Sequence, residues 1–165
     1  MSPRKFLFLF LLGPFFLVPL PSCSGPSEHE RVKGAVEDLA RLAEDRDTDG
    51  IMARLTDDYG DFEGRDRDGT RAMIDEYFTR YRGIVINVLR SQIDELSESE
   101  ATVQADLAFS SGAGKVFRKF AQISFENYRL KATLRKSGDR WLVAYAEWRP
   151  IGPGELLSGP EERLP

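Results

Sequence analysis

Apolar residues recur at helical spacing through the first half of the chain and at a spacing of two through the second, and the switch falls at Ile84. Val32, Ala35, Val36, Leu39, Leu42 and Ala43 form one helical stripe, with charged residues on the remaining faces. Ser27-Glu28-His29-Glu30 opens that helix with the Ser-x-x-Glu form of a capping box. Ile51, Met52 and Leu55 predict a short second helix, and Tyr59 to Phe62 a brief strand. The charged loop Gly64-Arg65-Asp66-Arg67-Asp68-Gly69 leads to a third helix from Thr70, with Met73, Ile74, Tyr77, Phe78 and Tyr81 as its stripe and Gly83 as its stop. The period of two then predicts four long strands: Ile84 to Glu95, Ala101 to Ser111, Ser124 to Arg135 and Arg140 to Arg149. Ser110 to Lys115 is a Gly/Ser-rich connection, Val116 to Gln122 is compatible with more than one state, and Gly152 to Pro165 reads as a flexible tail.

The alternation is regular enough to write a register. A turn at Ser137-Gly138 pairs Leu134 with Trp141, Ala132 with Val143, Leu130 with Tyr145 and Tyr128 with Glu147 on the core face, leaving Arg135, Thr133, Lys131 and Arg129 on a basic outer face. A three-residue loop, Ser97 to Ser99, sets Ile93 opposite Val103, Leu89 opposite Leu107, Asn87 opposite Phe109 and, on the other face, Arg90 opposite Asp106. The inner face is then apolar except for Asn87, Ser91, Tyr128, Tyr145 and Glu147, which become the candidate ligand-binding residues. Ile84, Ile86, Val88, Leu142, Ala144, Ala146 and Trp148 fall on the outer face, more apolar surface than a lone domain exposes, and predict a homodimer through that face.

The N-terminus has a different character. Arg4 and Lys5 precede an apolar run from Phe6 to Leu20, interrupted by Pro14 and Pro19 and too short for a stable membrane span, which is the layout of a secretory signal. Leu20-Pro21-Ser22-Cys23 resembles the lipobox of bacterial lipoproteins, and Cys23 is the sole cysteine; an ordinary secretory signal with an incidental cysteine is the alternative. The resemblance implies a signal peptide over residues 1–22, a lipidated Cys23 with a tether to residue 29, a folded domain over 30–151 and the tail over 152–165. It also implies attachment to a membrane of the cell envelope, on the periplasmic face of the outer membrane in a Gram-negative host, since Ser24 rather than aspartate follows the cysteine. With Cys23 acylated, the mature domain has no thiol for a disulfide, a thiolate metal site or a nucleophile.

Among 165 residues, 41% are apolar and 30% charged, which suits one domain with a core of its own. The net charge of −4 argues against nucleic acid as a partner. Charge is unevenly shared: Glu28 to Asp68 carries fourteen acidic and seven basic residues, Lys115 to Arg140 eight basic and two acidic. Asp45-Arg46-Asp47-Thr48-Asp49-Gly50 matches the first half of a calcium-binding EF-hand loop, but its twelfth position is Thr56 where a bidentate glutamate is needed, so it reads as an acidic turn capped by Thr48 or Asp49. No motif calls for a metal or another cofactor, and His29, the only histidine, lies beside the tether, where it reads as solvated.

The order of these elements, with Leu-Thr-Asp-Asp-Tyr before the short strand and Trp-Leu-Val-Ala-Tyr-Ala-Glu-Trp in the last, resembles the nuclear-transport-factor-2-like superfamily over about Glu30 to Pro150. The resemblance implies an α+β, cystatin-like fold, in which a strongly curved antiparallel sheet wraps around N-terminal helices to form a cone with a pocket at its open end. Enzymes of that superfamily, isomerases, dehydratases and cyclases among them, place acid/base residues in the pocket. Here Glu147 is the one carboxylate the register turns inward. It reads as a solvated rim group, a ligand contact, or a general base assisted by Tyr128 and Asn87, and no catalytic residue is assigned. A fold hosts many functions. The sequence therefore supports a lipid-anchored protein whose cone binds a small apolar molecule or a protein partner without catalysis, with an enzyme as the alternative.

Overall fold

The computed structural model describes residues 25–81, 83–111 and 126–158. Ser27 caps α1 (Glu28–Asp45): its hydroxyl accepts from the Glu30 amide while the Glu30 carboxylate accepts from the Ser27 amide, the reciprocal pair that a capping box requires. Arg46 ends the helix with a positive φ of 59°, and Asp47 caps α2 (Thr48–Met52) by accepting from the Gly50 amide at 2.8 Å. The acidic motif is thus a turn between helices, with Asp47 rather than Thr48 or Asp49 as the cap. Gly50 fits closely there: a β-carbon would lie 2.3 Å from the Asp47 carboxylate and 2.6 Å from Leu42, so both side chains would have to shift to admit one. Leu55 begins β1 (Leu55–Asp61) instead of extending α2, and α3 (Arg67–Arg80) starts one turn earlier than Thr70 because Asp66 caps it.

Four long strands follow: β2 (Ile84–Leu96), β3 (Glu100–Ser111), β4 (Glu126–Ser137) and β5 (Arg140–Pro150). The sheet order is β1-β5-β4-β3-β2, antiparallel throughout except for the parallel pair of β1 with β5. One face of this open, curved sheet packs on α1 and α3, the α+β arrangement of a curved sheet around N-terminal helices that the resemblance implies.

Of three register shifts among the antiparallel pairs, at Leu89, Asp94 and Ala144, the first and last revise the expected faces. The register between β2 and β3 is as the sequence predicts from Ile93–Val103 to Arg90–Asp106, then shifts so that Val88 meets Leu107 and Ile86 meets Phe109. Leu89 is the extra residue and is 52% exposed. In the last hairpin the turn is Gly138-Asp139, one residue later than expected, with Gly138 at a φ of 60°; Leu134 meets Val143, and beyond an extra residue at Ala144, Thr133 meets Tyr145, Ala132 meets Ala146 and Leu130 meets Trp148. A bulge exchanges the two faces for everything beyond it. Ile84, Ile86, Val88, Ala146 and Trp148 accordingly point into the core side rather than outward, while Asn87, Tyr145 and Glu147 point outward. The apolar outer patch on which the dimer expectation rested is therefore not formed by those residues.

The bulges do mechanical work, since strands of 11 to 13 residues can wrap around α1 only by bending, and an unpaired residue supplies the bend. Burial then grades along the concave side. At the closed end Ala101, Val103, Ala132 and Leu134 are fully buried, with Trp141 donating its indole N–H to Glu28 at 2.9 Å where α1 begins. Lys136 pairs with the same carboxylate at 3.0 Å, and together they hold Glu28 below the usual carboxylate range.

The outer face is partly covered. Residues Pro153–Ser158 form a short helix, α4, where the sequence suggests a flexible tail. Its Glu155 and Leu156 carbonyls accept from Arg129 and Arg90, and Arg149 pairs with the Glu155 carboxylate at 2.8 Å. Beneath it Asp106 is buried against Arg129, with bonds of 2.7 and 3.0 Å. The basic face is thus largely neutralised: Arg129 by Asp106, and Arg135 by Asp58 at 2.6 Å.

Candidate functional site

The open end of the concave side is lined by side chains that are apolar yet only half buried: Ile86, Leu107, Phe109, Leu130 and Trp148 from the sheet, with Ile74 and Tyr77 from α3. Their placement follows from the strand pattern once the bulges are included, because Ile86, Phe109 and Leu107 stand on the same face of adjacent strands as Leu130 and Trp148. Tyr77 joins helix to sheet, its ring 5.8 Å from Phe109 and 4.4 Å from Tyr81 one turn along.

Trp148 is held in place by the turn that follows β1. Asp61, the last residue of that strand, has a fully buried carboxylate that accepts from the backbone amides of Glu63 and Arg65 at 3.0 and 2.9 Å and from the Arg65 guanidinium at 2.8 Å. Arg65 also pairs with Glu63, and its guanidinium lies 5.5 Å from the Trp148 ring centre, while Phe62 meets the same ring edge-on at 4.8 Å. Asp61 is therefore a fully bonded turn organiser. Neighbouring Tyr59 is buried, and burial, reinforced by the charge of Asp61, pushes its phenol up to about 12. At neutral pH it is a proton-bearing hydroxyl.

Of the residues expected at the pocket, Ser91 and Tyr128 are on the concave side. Ser91 stands opposite Ala105 with a buried hydroxyl that has no hydrogen-bond partner. Tyr128 stands opposite Leu107, and its hydroxyl donates to Glu126 at 2.8 Å. The other three are elsewhere. Glu147 faces outward opposite Lys131, Tyr145 outward opposite Thr133 and 39% exposed, and Asn87 lines a cavity of about 320 Å³ between α1 and the edge strand, with Glu37, Arg41 and Ile86. The general-base role considered for Glu147 loses its geometry. Phe109, Trp148, Tyr77 and the Asp61–Arg65 pair were not singled out by the sequence. The available signal for the pair is an aspartate ending a strand four residues before an arginine in a short charged loop, a spacing that suits a side-chain pair closing a turn. Among the described residues, no group of three or more histidine, cysteine or carboxylate side chains is placed to hold a metal ion, and Cys23 lies outside the described residues.

No family model matches the chain, and no curated protein matches it. Solved structures do. A proposed scytalone dehydratase from Novosphingobium aromaticivorans superposes with a TM-score of 0.65 at 17% identity, over 76% of this chain and 85% of that one. A proposed dehydratase of the nuclear-transport-factor-2-like family from Streptomyces avermitilis gives 0.63 at 10% identity, over 75% and 97%. A nuclear-transport-factor-2-like protein of unknown function from Pseudomonas putida gives 0.61 at 16% identity, over 86% and 100%. Bd1075 of Bdellovibrio bacteriovorus also matches, with a TM-score of 0.61 at 14% identity, but this chain spans only 40% of its length. At these identities the likeness establishes the fold, and a fold hosts many functions.

Proposed function

We propose that this is a lipid-anchored envelope protein whose cone takes up a small apolar molecule at its open end and performs no reaction on it. The observation that carries the reading is the composition of the concave side: its half-buried lining is aliphatic and aromatic, and its carboxylates already have partners, Asp61 in Arg65 and two amides, Glu126 in Tyr128. Apolar walls with a few hydrogen-bonding groups are what a small-molecule site requires, and Ser91 offers an unpaired hydroxyl on that face. Dehydration or isomerisation instead needs a carboxylate or imidazole free to move a proton. Dehydratase descriptions among the structural neighbours keep such chemistry in view, but a proton carrier would have to be released from the pairs named here.

The anchored part of the proposal rests on Cys23 and the apolar run before it; among the described residues no helix is long and apolar enough to cross a membrane. Two experiments test the halves separately. Wild-type protein should incorporate labelled palmitate and fractionate with membranes while Cys23→Ala does neither; identical fractionation would defeat the anchor. N-phenyl-1-naphthylamine should brighten on binding the wild type, and Phe109→Arg, which puts a charge into the lining, should abolish the signal while Leu89→Arg on the exposed bulge leaves it intact. Equal signals from both variants would defeat the site.

A further inference from the structure

A second pocket lies at the closed end, between α1 and the β4–β5 hairpin, with a volume of about 280 Å³ and Arg31, Gly34, Asp38, Arg54, Arg140 and Trp141 in its lining. Three arginines line it, together with the carboxylates of Asp38 and Asp139. Arg54 is held by Asp38 at 3.0 Å, Arg31 has only long pairs, 3.7 Å to Glu28 and 3.9 Å to Asp139, and Arg140 makes no ion pair among the described residues. Asp139 is 99% exposed, so it does little to cancel the charge. The cluster is held open by sequence. Gly34 sits in the middle of an 18-residue helix, where glycine is about 1 kcal/mol worse than alanine, yet nothing lies within 4 Å of where its β-carbon would be. No close packing requires that glycine, and its effect is to leave the pocket deep.

Position adds a second argument. Arg31 donates to the Pro26 carbonyl at 3.2 Å, which places Pro26 beside this pocket. Cys23 is three residues from Pro26, which at full extension is about 10 Å. If Cys23 carries acyl chains, this basic pocket is therefore held at the headgroup layer.

We propose that the pocket formed by Arg31, Arg54 and Arg140 over Gly34 binds the phosphate-bearing headgroup of an anionic phospholipid, docking the closed end on the leaflet that holds the anchor and turning the open end toward the aqueous side. The inference takes the source of the anion from the anchored reading proposed above, while the pocket stands independently of it. Electrostatic attraction of about 1 kcal/mol per basic residue near an anionic surface gives roughly fivefold in partitioning for each arginine removed.

The test uses the chain from Ser24 to Pro165, which retains the buried hydrophobic residues among those described, Val32 to Ile151, and lacks Cys23, so that the anchor plays no part. It should co-sediment with vesicles of phosphatidylcholine and phosphatidylglycerol in low salt at least tenfold more than with phosphatidylcholine alone. Arg140→Gln should lower that binding roughly fivefold. Gly34→Leu should lower it at least as much while raising the thermal midpoint, an outcome that misfolding would not give. Lys131→Gln on the outer face should change binding less than twofold. Equal binding to neutral and anionic vesicles, or full binding by Gly34→Leu and Arg140→Gln, overturns the proposal. So does a soluble source: millimolar inorganic phosphate binding the pocket in place of the vesicles. Failure here leaves the palmitate and fractionation results on Cys23→Ala standing, so the two ideas fall separately.

Discussion

Replacing Asp106 by alanine should destabilise the protein by about 3–5 kcal/mol, the range for removing one partner of a buried ion pair. The Asp106 side chain is 3% exposed and that of Arg129 11%, and the two share bonds of 2.7 and 3.0 Å beneath α4. Without the carboxylate, Arg129 keeps a buried charge whose remaining contact is the Glu155 carbonyl at 3.4 Å. Against a typical total stability of about 5–15 kcal/mol the loss would be a large fraction. Replacing both groups, Asp106→Leu with Arg129→Met, removes the charge along with its partner and should cost less than the single change. Urea titrations followed by circular dichroism give each difference, and the cycle should return a coupling of about 2 kcal/mol. Truncation after Ile151 deletes α4 and wets the pair, so the coupling should fall to about 0.5–1 kcal/mol. A cost below about 1 kcal/mol for Asp106→Ala, or a coupling indifferent to the truncation, would refute the claim that α4 seals this face.

Two further perturbations probe the concave side and its bulges. The Tyr59 phenol, at about 12 against an ordinary 10.0, keeps its proton in the native state where the unfolded chain has released it, so stability should fall as pH rises from 10 through 12. Tyr59→Phe should flatten that alkaline limb in thermal melts, and an unaltered limb would mean the phenol is solvated. Glu147→Gln should change stability by less than about 0.5 kcal/mol, because the carboxylate is on the outer face; a clear stabilising effect would mean that β5 has no bulge and the residue is buried.

The sequence carried the elements further than the faces. The capping box at Ser27, the stripe on α1 and the four strand spans to within two residues all follow from local chemistry that the structure retains, whereas the loop at Ser97 pairs Leu96 with Ala101 and an extra residue at Asp94 restores the expected Ile93–Val103 row. What it did not reveal was parity beyond Leu89 and Ala144. Both are ordinary residues for a strand; no glycine marks either bulge, and each arises because a long strand must bend around α1, which is a tertiary demand. The extra residues at Leu89 in β2 and Ala144 in β5 moved Asn87, Tyr145 and Glu147 out of the expected site and Ile86 and Trp148 into it; the second extra residue of β2, Asp94, lies nearer the loop and leaves those faces alone. Tyr128 and Ser91 stayed inside because neither bulge separates them from the correctly paired rows, Ser91 with Ala105 and Tyr128 with Leu107. The tail failed for a similar reason. Pro153 to Ser158 has weak intrinsic helix preference, and α4 is held by Arg90, Arg129 and Arg149 from three different strands.

Native mass spectrometry of the protein isolated under mild conditions from its own host addresses the proposed apolar site most directly. The account predicts a bound small molecule of apolar character and unchanged structure, present on the wild type and absent from Phe109→Arg. A single ligand-free mass for the wild type, or a bound molecule retained by Phe109→Arg, would contradict it.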